Sequence, residues 1–128
     1  MRLYRKIKPA EALRGIAAEE WERLLDDLPS ELATAARTLP IVCEGTPNEA
    51  LVRTGVAAGT FGLFIGSAYA EPGASPVPSQ ILLFLENLWA AAHGNEERFR
   101  EEVRRTLLHE LGHYLGLDED GLSARGLD

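Results

Sequence analysis

The chain of 128 residues has almost nothing with which to cross-link itself. Cys43 is its single cysteine, so no disulfide can close within the chain and secretion finds no support. Cys43 follows Ile41 and Val42, and this apolar setting marks a structural thiol in a strand rather than a reactive one. Long apolar runs are missing too. The uncharged stretch from Thr54 to Ala70 is broken by Gly55, Gly59, Gly62 and Gly66, and fits a loop and strand better than a membrane span. The opening residues MRLYRKIKPAEA lack the apolar segment of a signal peptide, so the expected location is the cytoplasm. Positive charge is also scarce. Thirteen Lys and Arg stand against twenty Asp and Glu, and a net charge of −7 disfavours nucleic acid and anionic membrane as partners. One basic cluster, Arg2, Arg5, Lys6 and Lys8, reads as a solvated end.

What is present is ordinary for a small globular protein. Hydrophobic residues make up 45% and charged residues 26%, and this length holds one core. A single domain over residues 1–128, monomeric or weakly oligomeric, is expected. Apolar spacing from Pro9 to Leu28 predicts a helix, with Gly15 as a point of bending and Pro29 as its stop. Ser30 is placed to cap a short helix reaching about Thr38. Three β-rich runs follow: IVC at 41–43, TFGLFI at 60–65 and ILLFL at 81–85. The last is continuously apolar, as a strand covered on both faces must be. Prolines between Glu71 and Ser79 require a loop, and Leu88 to His93 suggests one helical turn. Asn95 caps the last helix, predicted to run to about Leu115, with Glu96 and Glu97 where the helix dipole favours them. Phe99, Val103, Leu107, Leu111, Tyr114 and Leu115 share its apolar arc, with Arg100 and Arg104 near the start of that arc.

On the flank of this arc stands His109-Glu110-Leu111-Gly112-His113, an HExxH pattern. Residues four apart on a helix are neighbours, so the two imidazoles can grip one ion. Glu110 projects beside His113, where a carboxylate can take a proton from the attacking water and deliver it to a leaving amine. Chance gives this pattern in a chain of such composition on the order of 1% of the time. Here it uses two of only three histidines, late on an amphipathic helix. His93, beside Gly94, reads as a surface residue. Two histidines do not complete a zinc site, and a third ligand is sought downstream. Gly116 lets the chain leave the helix in a left-handed conformation and double back. Asp118, Glu119 and Asp120 then come within reach, and spacing alone does not choose among them.

The segment HELGHYLGLDE, residues 109–119, resembles the elongated zinc motif HExxHxxGxxH/D of the metzincin side of the zincins. In that register His109 and His113 match the paired ligands, Glu110 the general base, Gly116 the turn and Glu119 the third ligand. Glutamate replaces the usual His or Asp there, and the methionine turn of true metzincins has no counterpart, Met1 being the single methionine. The closer resemblance is to the minimal zincin family of short bacterial single-domain proteins. It is carried by LPIVCEGTP (39–47), FGLFIG (61–66), the Pro-rich connection, ILLFLENL (81–88) and EVRRTLLHELGHYLGLDED (102–120). This resemblance implies an α+β, minimal zincin-like fold: a small mixed sheet of three to four strands flanked by helices, with the HExxH helix near the C-terminus. It implies a zinc (Zn2+) metallopeptidase acting on a peptide or protein substrate that pairs with the edge strand at 60–65. Two other readings use the same ligands. One is a non-catalytic zinc-binding or adaptor domain. The other is a metal-dependent endoribonuclease, whose related spacing lacks the glutamate after the first histidine and which an acidic chain suits poorly.

Overall fold

The computed structural model describes residues 8–127. Arg2, Arg5 and Lys6 of the basic cluster lie outside the described residues, whereas Lys8 pairs with Glu96 at 3.3 Å. Helix α1 (Ala10–Asp27) buries Leu13, Ile16, Ala17, Trp21, Leu24 and Leu25, the face its apolar spacing defines. It does not bend apart at Gly15. That residue is exposed with open space where a Cβ would be, and the burial of Leu13 and Ile16 on either side outweighs a helical glycine's cost of about 1 kcal/mol. Helix α2 (Ser30–Ala36) begins at Ser30 itself, with Pro29 at the capping position. Strand β1 (Ile41–Glu44), a short helix α3 (Glu49–Arg53) and strand β2 (Gly62–Ile65) come next. Strand β3 (Gln80–Phe84) then passes directly into α4 (Leu85–Ala91), ahead of α5 (Glu96–Leu115) and α6 (Glu119–Ala124).

The sheet is mixed, in the order β1-β3-β2, with β1 parallel and β2 antiparallel to β3. Ile81, Leu82, Leu83 and Phe84 are all buried and form the central strand. Leu85, the last residue of the apolar run, already begins α4, which starts three residues before the helical turn expected at 88–93. β2 lies at one edge and starts two residues later than TFGLFI suggests, because its partner β3 passes into α4 after Phe84 and leaves Thr60 without a strand opposite it. Ile81 and Leu83 point into the main core, where they meet α1, α4 and the inner stripe of α5. That stripe is Phe99, Val103, Leu107 and Leu111, each with no exposed surface. Arg100 and Arg104 leave the stripe at its margin. Arg100 reaches the buried Glu20 of α1 at 2.9 Å, and Arg104 reaches Asp27 at 2.8 Å. Among the described residues no helix is long and apolar enough to cross a membrane.

What places β2 relative to α5 is Gly62. A Cβ there would sit 2.5 Å from the Thr106 methyl and 3.6 Å from Cγ of Glu110, so only glycine lets the strand ride this close over the helix. Gly62→Ala is therefore expected to lower stability by about 1–3 kcal/mol through overpacking, read as a fall in the urea midpoint at unchanged m-value. Gly15→Ala should do the opposite, raising stability by about 0.5–1 kcal/mol, because the new methyl meets no neighbour and the helix gains propensity. A loss of stability at position 15 would mean that α1 needs a hinge there.

Candidate metal centre

Helix α5 enters the site well anchored. The Asn95 side chain accepts from the Arg98 N–H at 2.9 Å, and Glu96 and Glu97 occupy the first turn. Its other end stops at Gly116, in the left-handed conformation (φ 72°, ψ 30°) that the turn back requires. The Leu117 N–H then donates to the Gly112 carbonyl at 2.7 Å, which folds the following segment against the helix. Asp118 caps α6 by accepting from the Gly121 N–H at 2.7 Å. Leu122 and Leu127 are buried and hold this arm to the core. The acids after Gly116 are thus the cap and first turn of a short helix, with their side chains exposed to solvent.

His109 and His113 project together from the flank of α5. Their Nε2 atoms are 3.4 Å apart, and the rings stand nearly perpendicular at a centroid distance of 5.0 Å. Two nitrogens on a tetrahedral zinc, each about 2.0–2.1 Å from it, lie roughly 3.3–3.4 Å from one another, so the pair has the spacing the ion needs. Glu110 lies between helix and sheet with only 12% of its side chain exposed. Its Oε1 accepts from the Phe64 N–H of β2 at 2.9 Å, while its Oε2 is 3.9 Å from Nε2 of His109. Ligand atoms of His109, Glu110 and His113 all fall within 4.8 Å of one another.

Glu119, the first residue of α6, meets the pair from the other side. Its Oε1 lies 2.9 Å from Nδ1 of His109. A carboxylate accepts there from Nδ1–H, and in a neutral imidazole this arrangement leaves the lone pair on Nε2, the nitrogen that faces His113. Of the other two acids, Asp118 has its Oδ1 engaged as the α6 cap, and Asp120 is exposed in the first turn. His93 is exposed in the turn after α4, at φ 54°, outside the cluster. Cys43 sits on β1, across the sheet from β2, and burial pushes its thiol pKa up, away from reactivity.

An open cleft of about 890 Å³ runs beside the cluster. Phe61 and Gly62 form its sheet wall, Arg105, Thr106 and His109 its helix wall, and Glu119 stands at its rim. The Phe64 amide as a partner of Glu110 was not legible in the residues, because a backbone group carries no residue signature. Gly62 was the available pointer, as a glycine where a second backbone or side chain comes close.

No curated protein matches this chain. A family model described as zincin-like metallopeptidase matches residues 36–127, from the end of α2 through the whole sheet, the histidine pair and α6. With a mixed three-stranded sheet, an HExxH helix beneath its edge and a match over most of its length, the chain belongs to the zincin-like metallopeptidases.

Proposed function

We propose that this chain is a zinc-dependent peptidase in which His109 and His113 hold the ion through Nε2, with Glu119 as third ligand and Glu110 as general base. The observation that carries the reading is the 3.4 Å separation of the two Nε2 atoms beside a carboxylate oxygen 3.9 Å from one of them. A zinc ion bound there supplies a Lewis acid that acidifies a water and polarises a peptide carbonyl. Glu110 is fixed by the strand through one oxygen and faces the histidines with the other. That second oxygen is placed to accept the proton of the attacking water and pass it to the departing amine. Glu119 contacts His109 on the ring nitrogen opposite the paired Nε2 atoms, so acting as a ligand requires its side chain to rotate. With 77% of that side chain exposed, the rotation takes place largely in solvent. The outer edge of β2, unpaired among the described residues, offers an extended substrate a backbone ladder above the same helix.

The test is cleavage of a mixed peptide library by the zinc-loaded chain, read by mass spectrometry. Glu110→Gln is expected to keep its zinc and to lose turnover by about 100-fold or more, because only the base is removed. Turnover that survives in this variant sinks the mechanism. Zinc retained in both proteins with cleavage by neither is the signature of a binding domain.

Metal content separates the ligands. Elemental analysis of His113→Ala should find little zinc, since one histidine and one acid hold it poorly. Glu119→Ala should weaken zinc by at least about tenfold. Asp118→Ala should instead cost about 1 kcal/mol of stability through the lost α6 cap and weaken zinc less than Glu119→Ala does, because it loosens the arm but keeps the ligand.

A further inference from the structure

Among the described residues no strand pairs with the outer edge of β2, and the pleat determines which of its groups that edge presents. The Phe84 N–H donates to the Phe61 carbonyl at 2.9 Å, so residues 61 and 84 form a hydrogen-bonded pair. Antiparallel ladders alternate, which leaves Gly62, opposite Leu83, and Phe64, opposite Ile81, with their N–H and C=O groups turned outward. The β3 side agrees: the Ile81 N–H points the other way, to the Pro40 carbonyl at 3.0 Å. β2 therefore presents two outward donors. One of them, the Phe64 N–H, is already bound by Oε1 of Glu110 at 2.9 Å. A carboxylate oxygen thus stands where a carbonyl of an added strand would stand.

We propose that the Phe64 amide is an exchange point between Glu110 and the substrate. With the edge empty, the amide holds the Glu110 carboxylate. When an extended peptide pairs with β2, one of its backbone carbonyls takes the Phe64 N–H and Glu110 is released from the strand. The inference rests on the peptidase reading for its occupant, an extended peptide backbone. One N–H serves one acceptor well, and two sharing it are both weakened, so the two partners compete. The released carboxylate remains largely buried and cannot stay without a donor. Its other oxygen already faces Nε2 of His109 at 3.9 Å, on the side of the reacting centre of the proposed chemistry. Peptide docking and delivery of the base are thereby one event.

The test compares zinc-loaded wild type, Glu110→Gln and Glu110→Ala for binding of blocked penta-alanine. This neutral probe pairs through its backbone, needs no side-chain pocket and is indifferent to the loss of a charge. Affinity is read from amide shifts in 15N spectra, with the peptide checked as intact by mass spectrometry. Glu110→Ala, having lost the competing acceptor, is expected to bind about tenfold tighter than wild type. Glu110→Gln, whose neutral amide oxygen competes less well, is expected to bind about threefold tighter. The shifts should centre on the amides of Gly62 and Phe64, with Leu63 and Ile65, whose amides face β3, moving less. Equal affinity in all three proteins overturns the proposal, as does binding centred away from β2 or no binding up to the solubility limit of the peptide. These outcomes are distinct from a failure of the peptidase reading, which shows as lost zinc or as turnover that ignores Glu110.

Discussion

The close seating of β2 on α5 is the constraint on which the site depends. It exists because position 62 has no side chain, so the strand can rest against Thr106 and the stem of Glu110. With that contact in place, a carboxylate from the helix reaches a backbone amide of the strand, and sheet and helix share one functional group. Lift the strand by the width of a methyl and both the Glu110 carboxylate and the outer edge of β2 move out of register with the histidines.

Helix α5 separates structure from chemistry by angle. Phe99, Val103, Leu107 and Leu111 form its inner stripe and fill the core, while His109 and His113 stand on the flank with about half of the His109 side chain exposed. Imidazoles on such a rigid, buried scaffold meet an ion with little side-chain ordering left to do. Contacts distant from the site support the same helix. Asn95 caps it, and Arg100 ties it to a buried carboxylate of α1. The Arg100 contact neutralises Glu20 at a margin where an unpaired charge would be costly.

Much of this was legible in the residues. HExxH on an amphipathic helix, the buried ILLFL strand, the Asn95 cap and the turn at Gly116 all rest on local rules that the fold obeys. The short helices α3 and α6 were not. Segments of five or six residues have no stability of their own, and these form because Asn48 and Asp118 cap them and, for α6, because Leu122 docks in the core. Gly15 misled in the other direction, since a propensity penalty is small beside the burial on either side of it. The contact of Glu119 with Nδ1 of His109, and that of Glu110 with Phe64, depend on how the chain closes in three dimensions. No spacing rule encodes either.

The turn at Gly116 has one more consequence. It places the two histidines and Glu119 on separate pieces of chain, the histidines on a helix seated in the core and the acid on a short arm held chiefly by two leucines. Local opening of that arm detaches the acid and leaves the rest of the fold intact, so it needs less free energy than global unfolding. Were Glu119 to serve as the proposed third ligand, a bound ion would be released by opening of this arm alone, at a lower free energy than melting of the whole protein requires.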